Sequence, residues 1–408
     1  MEKLRVGVIG LSGRGYGQMK NIILPRENVE VTAVCDLYED RNERAAATVE
    51  EKYGKRPFVT TDYRELTSRS DVDVVVIASA WEGHIDQAIS AMENKKYCAM
   101  EVGGAYSLHD CFRLVDTYER TGMQCMMLEN CCFGRRELMV LNMVRQGLFG
   151  SIVHCAGGYL HDLRGEITFG EEKRHYRLRN YLNRNCENYP THELGPIAKV
   201  LNINRGNRMV SLTSTASCSR GLHEFIRSRE DANKDLLNYQ FAQGDIVNTV
   251  IKCAHGETIE LTLDTTLPRY YSRGFTVRGT KGMYNEINDS IFIDGEHNEF
   301  HEKWRQQWGN ASQYAEKYEH PIWDKFLHDG VRGGHGGIDW LEYDAFFGAI
   351  ERGIDPPIDT YDTAAWMAIT PLSEESISMG SAPVAIPDFT HGQWTHRAPQ
   401  TEWDMAIL

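Results

Sequence analysis

Over roughly the first 125 residues, short apolar runs alternate with stretches of helical period. The runs cover residues 5–9, 29–35, 72–78, 97–100 and 124–128, and most are nearly continuous in Val, Ile, Ala, Cys and Met. A strand that is apolar at successive positions needs cover on both faces, which is the habit of a parallel sheet. Apolar residues recur at helical spacing near 42–52, 84–94 and 108–121. Strand–helix alternation of this kind predicts a parallel sheet with right-handed crossovers. The pattern changes near residue 150. Runs at 152–159, 208–215, 246–254, 257–265 and 275–279 carry more polar alternation, with glycine turns at Gly256 and between Gly279 and Gly282. That period predicts an open, mainly antiparallel sheet with one solvated face. Helices are expected at 135–146, closed by Gly147, at 191–202 and at 361–378. Residues 160–190 and 283–340 show no clear period and read as long surface loops.

The first run breaks directly into Gly10-Leu11-Ser12-Gly13-Arg14-Gly15. Glycines between a strand and a helix let a pyrophosphate approach the backbone, and the helix N-terminus offers unpaired N–H groups. The usual G-x-G-x-x-G spacing falls on Gly10, Ser12 and Gly15, so serine occupies the middle position and Gly13 is the candidate for the close approach. The second run ends at Asp36, 26 residues beyond Gly10, near the offset of the carboxylate that binds a ribose hydroxyl. An acid there favours NAD over NADP, because it repels a 2′-phosphate; Asp36 could also cap the following helix. The expected fold class is α/β: an N-terminal Rossmann dinucleotide-binding domain over 1–128, then a C-terminal α+β domain over 129–408. Part of the C-terminal segment is expected to pack back on the first domain.

A length of 408 residues suits two cores better than one. Hydrophobic content of 41% and charged content of 25% are those of an ordinary globular chain. The net charge of −14 argues against a nucleic-acid surface or an anionic membrane patch. No stretch is long and apolar enough to predict a membrane span. The ten cysteines form no C-x-x-C pair, and no cluster has metal-ligand spacing, so no metal is expected. The start runs straight into a strand without a visible leader, which fits a cytoplasmic protein, or a periplasmic or secreted one whose leader has been removed. A sheet with an exposed face leaves room for a homo-oligomer.

A dinucleotide domain followed by an open-sheet domain resembles the Gfo/Idh/MocA oxidoreductases. Their Glu-Lys-Pro motif is matched here by Glu101-Val102-Gly103, without the lysine that helps a dehydrogenase handle its alcohol proton. Further segments resemble a narrower group. They include Glu129-Asn130-Cys131-Cys132-Phe133-Gly134-Arg135-Arg136-Glu137, Gly157-Gly158-Tyr159-Leu160-His161-Asp162-Leu163-Arg164 and Tyr189-Pro190-Thr191-His192. Later come Tyr271-Ser272-Arg273, Lys317-Tyr318-Glu319-His320-Pro321, Gly333-Gly334-His335-Gly336-Gly337 and Pro387-Asp388-Phe389. Together they resemble glycoside hydrolase family 109, the NAD-dependent α-N-acetylgalactosaminidases. Glu193 stands where that family's Thr-His-Gly segment has glycine.

The resemblance implies a retaining glycosidase with a carbohydrate substrate and NAD as cofactor. It implies transient oxidation at C3, elimination across C1–C2, water addition and re-reduction; the alternative is a sugar or inositol dehydrogenase that releases NADH. It gives His192 and Tyr159 the catalytic roles, His192 at the C3 hydroxyl and Tyr159 at C2 or in the lining of the sugar site; a tyrosine base needs its pKa lowered by a neighbouring cation, here Arg164 or His161. Glu129, Tyr189, Arg164 and His335 are expected at the sugar. Gly10, Leu11, Ser12, Gly13, Arg14, Gly15, Asp36, Trp81, His84 and Glu101 are expected at the cofactor.

Overall fold

Six strands, β1 (Leu4–Ile9), β2 (Val29–Cys35), β3 (Phe58–Thr60), β4 (Val74–Ile77), β5 (Tyr97–Glu101) and β6 (Cys125–Leu128), form one sheet in the computed structural model, which describes residues 3–297 and 304–399. Every pairing is parallel and the order is β3-β2-β1-β4-β5-β6. All four residues of β4 and of β6 are buried, so both faces are covered, as the continuous apolar runs require. The chain order reverses direction between β1 and β4, and ligands of doubly wound sheets bind at the carboxyl ends of the strands flanking such a point. β3 was not anticipated, because three residues are too few to show a period.

The described residues pack as two units. The first holds 3–133 and 321–365, and the second holds 134–297, 304–320 and 366–399. In the first, the returning segment supplies the helices Pro321–Asp329 and Ile338–Arg352. It also closes the sheet edge. The N–H of Cys125 donates to Thr360 Oγ1 at 2.9 Å and that of Met127 to Thr363 Oγ1 at 3.2 Å, while Thr363 Oγ1 donates back to the Cys125 carbonyl. Two threonine hydroxyls thus occupy backbone positions of β6 that an edge strand would leave open.

The second unit is built on eight strands: β7 (Ile152–Leu160), β8 (Met209–Ala216), β9 (Ile246–Cys253), β10 (Thr258–Asp264), β11 (Thr276–Gly279), β12 (Gly282–Asn285), β13 (Ser290–Ile293) and β14 (Val384–Ala385). Their order is β13-β12-β11-β7-β10-β9-β8-β14, antiparallel except for β7 beside β10. Burial alternates along β9, leaving Asn248, Val250 and Lys252 on the exposed face. The helix Thr191–Val200 packs on β7, and Ile369–Ser378 packs on β8.

Three expectations fail. The stretch 160–190 contains the helices Arg164–Thr168 and Arg177–Asn183. The stretch 283–340 carries most of β12, all of β13 and the helices Ala311–Tyr318 and Pro321–Asp329; its residues 298–303 lie outside the described set. These elements are too short, and too rich in charge and aromatics, to display a clean period. The expected helix at 361–378 is two helices, Thr360–Met367 and Ile369–Ser378. Pro371 has no N–H to offer the Met367 carbonyl, so one continuous helix is interrupted there.

Candidate active site

Gly10 follows β1 at φ 88°, and a Cβ there would lie 2.4 Å from the Ala78 and Ser79 backbone at the end of β4. A Cβ on Gly15 would lie 1.9 Å from the Gly10 carbonyl oxygen. Both positions therefore require glycine for packing. Gly13 differs: it is exposed at the start of the helix Gly13–Gln18, with no atom within 4 Å of where its Cβ would be. The middle serine, Ser12, precedes that helix and makes no side-chain cap. Open space over a glycine at a helix start suits a pyrophosphate, so the residues present fit a dinucleotide.

Asp36 is buried at the end of β2. It accepts from the Leu11 N–H at 2.6 Å and from the Tyr38 N–H at 3.0 Å. It does not cap the next helix, Glu39–Tyr53, whose N-cap is Tyr38. Its carboxylate instead fixes the glycine loop, with oxygen lone pairs to spare for a ribose. Trp81 is buried and donates from Nε1 to the Val102 carbonyl at 3.1 Å; Gly103 leaves the room, since a Cβ there would meet the indole at 2.4 Å. His84 is buried, with Nε2 3.0 Å from the Ser79 carbonyl, and burial lowers its pKa, so the ring is a neutral brace for the turn after β4.

Arg14 leaves the glycine loop and meets two acids. Its Nε donates to Glu101 Oε1 and its Nη1 to Asp339 Oδ2, each at 2.7 Å. Asn130 and His335 also bind Asp339, at 2.7 and 2.8 Å. Burial opposes ionisation of Asp339, but the bonds from His335, Arg14 and Asn130 outweigh it and hold the carboxyl well below its usual range. His335 sits at φ 50° with a side chain 61% exposed, so its glycine-rich loop is anchored at Asp339. Glu129 is buried just after β6 and accepts from the Cys131 N–H at 3.1 Å.

In the second unit, β7 and the helix Thr191–Val200 bring an aromatic cluster together. Tyr159 OH lies 3.0 Å from His161 Nδ1. The Tyr159 and Tyr189 rings stack 4.1 Å apart, and the His192 ring stands edge-on to both, at 5.3 and 4.8 Å. Tyr189 OH lies 3.4 Å from His192 Nε2. The close approach depends on Gly157, where a Cβ would sit 2.7 Å from Glu193 Cβ and Cγ. Pro196 has no N–H for the His192 carbonyl, which loosens the helix at its first turn. Glu193 is buried, 3.5 Å from the Arg273 guanidinium, which also pairs with Glu137.

The cation of this cluster is Arg177. It is buried, with Cζ 5.2 Å from the centre of the Tyr189 ring and Nε 2.5 Å from Glu166 Oε1. It interacts electrostatically with Tyr159 as well. Burial and the charge of Arg177 lower the His161 pKa, so its imidazole is neutral near pH 7. Arg164, expected beside Tyr159, is instead bound to Asp162 at 2.6 and 2.9 Å and lies over Phe225. It lines a separate cavity of about 540 Å³ with Arg220, His223 and Arg227.

Residues 133–396 match the glycosyl hydrolase 109 C-terminal domain, and residues 4–129 match the oxidoreductase family with an NAD-binding Rossmann fold. The α-N-acetylgalactosaminidase of Tannerella forsythia is 37% identical, over 97% of this chain and 88% of its own. The chain belongs to glycosyl hydrolase family 109. A family 109 protein of Solibacter usitatus is 38% identical, over 97% of this chain and 90% of its own. Two solved structures share the fold. An inositol dehydrogenase homologue from Azotobacter vinelandii complexed with NADH and myo-inositol has TM-score 0.65 at 15% identity, covering 94% of this chain and 98% of that one. Levoglucosan dehydrogenase in complex with NADH has TM-score 0.64 at 18% identity, covering 95% and 100%.

Of the residues singled out in the sequence, Tyr159, Tyr189 and His192 lie together in the second unit. Gly10 to Gly15, Asp36, Trp81, His84, Glu101, Glu129 and His335 lie in the first. Arg177, Glu166, Asp339 and Glu342 escaped the sequence reading. Asp339 and Glu342 had a usable signal, being acids one helical turn apart in the apolar run Ile338–Arg352.

Proposed function

We propose that this chain is a retaining glycosidase that uses tightly bound NAD to cleave an α-N-acetylgalactosaminide-like sugar. The observation that carries the reading is the cluster at the end of β7: a tyrosine bonded to a neutral imidazole, next to a buried guanidinium, with a second histidine against its ring. When bound, the nicotinamide supplies reversible hydride acceptance from C3 of the sugar. Asp36 holds the adenosine ribose, and the Gly13 turn receives the pyrophosphate. Glu101, Trp81 and His84 shape the strand ends on the nicotinamide side. His192 takes the C3 hydroxyl proton. The C3 ketone acidifies the C2 proton, which Tyr159 removes as base after passing its own proton to His161 Nδ1. Arg177 stabilises the tyrosinate that this step requires. Expulsion of the C1 substituent, addition of water and return of the hydride complete a cycle without net oxidation. Tyr189, stacked on Tyr159, is assigned to the sugar.

The test uses p-nitrophenyl α- and β-glycosides with NAD-loaded enzyme, following nitrophenol and NADH separately. Nitrophenol without stoichiometric NADH, together with washout of deuterium from C2, is the expected result. NADH accumulating with oxidised sugar would identify a dehydrogenase instead. Tyr159→Phe should abolish turnover while the cofactor stays bound.

A further inference from the structure

Glu342 is fully buried on the helix Ile338–Arg352, and neither of its carboxyl oxygens has a protein hydrogen-bond partner. Titratable groups of several elements act on it. The glycine loop contributes Arg14, the end of β5 contributes Glu101, the residue after β6 is Glu129, and its own helix adds Asp339 and the Tyr343 hydroxyl. Burial raises its pKa well above the usual carboxyl range, and Asp339, Glu101 and Glu129 push the same way against Arg14. Burial without a hydrogen-bond partner thus favours the neutral acid over the carboxylate. A buried acid without a partner costs stability, so its retention calls for a reason.

Its position suggests one. In a doubly wound sheet the dinucleotide crosses at the switch point. With Asp36 at β2 taking the adenosine, the nicotinamide falls toward the ends of β4, β5 and β6, where Glu101 and Glu129 lie. We propose that Glu342 exchanges one proton with solvent in step with the charge of the nicotinamide ring, losing it when the oxidised cationic ring is bound and regaining it when the ring is reduced. The inference rests on the cofactor reading above. An opposite charge within about 4–6 Å shifts a carboxyl's proton affinity by about ten- to a thousandfold. Both redox forms carry the same pyrophosphate, so their difference isolates the single ring charge. No electron reaches Glu342; its proton goes to and comes from bulk water. The charge of this interior then stays constant as hydride leaves the sugar and returns.

The experiment is calorimetric titration of cofactor-stripped protein with NAD+ and with NADH, each in two buffers of different ionisation enthalpy. NAD+ binding should release about one proton more per chain than NADH binding. In Glu342→Gln both should bind and the difference should vanish. Infrared difference spectra of the native protein give a second readout: the protonated carboxyl C=O band should be weaker with NAD+ than with NADH. Equal proton counts for both forms, or a difference that persists in Glu342→Gln, would overturn the proposal. Failure of both dinucleotides to bind would instead remove the cofactor reading on which it stands.

Discussion

His161 illustrates how one side chain sets a pH profile. Burial and Arg177 lower its pKa below the ordinary value of about 6.5, so it can accept the Tyr159 proton across neutral pH. The acid limb of kcat should therefore lie below pH ~6.5, where His161 becomes charged and can no longer accept. His161→Gln should lower kcat by about 10²-fold or more and abolish that limb, with cofactor content unchanged; a limb that stayed in place would assign it to another group. Tyr159, Tyr189 and His192 were legible in the sequence because short motifs hold them. Arg177 was not, since its partners Glu166 and Tyr189 come from different segments and 160–190 shows no period that would orient the side chain. The sequence offers Arg164 or His161 as the cation beside Tyr159. The salt bridge of Arg164 to Asp162, two residues back, turns it away.

At the scale of elements, helix Thr191–Val200 and strand β7 come into register through Gly157, and this contact carries Tyr159 and His192 into one cluster. Gly157→Ala would drive a methyl group into Glu193, moving the helix or breaking the Glu193–Arg273 pair. Overpacking of this kind typically costs about 1–3 kcal/mol. The expected outcome is a lower melting temperature and a fall in kcat with unchanged NAD content; a variant with native kcat would show that the helix position is not critical. The Rossmann strands were readable because burial on both faces leaves continuous apolar runs. β12, β13 and the paired late helices were not, because short antiparallel strands and a proline-split helix produce no sustained period. Glu193 also makes sense at this scale. It looked out of place as a replacement for glycine, yet its carboxylate meets Arg273, which also pairs with Glu137 on the helix Arg135–Arg145.

For the whole molecule, the buried acids tie stability to pH. Burial pushes the Glu187 carboxyl up to about 8 and raises those of Glu137 and Glu342 as well. A carboxyl whose folded pKa exceeds its unfolded value favours the folded state below the unfolded pKa, and that advantage is lost as pH rises through the folded pKa. The melting temperature should thus fall from about pH 4.5 to about 8. Glu187→Gln should raise it at pH 8 relative to the native protein and have little effect near pH 5. Scanning calorimetry across that range checks this, and an equal shift at both pH values would refute it. Two packed units also make separate unfolding transitions a natural outcome. The threonines that close β6 are synthesised more than 230 residues after the strand they protect. At about 5–20 residues per second, the nascent sheet leaves the ribosome with that flank bare for some ~12–50 s. During this interval it is open to pairing with other chains, so a chaperone that shields exposed backbone should matter more for the yield of this protein than its final stability would suggest.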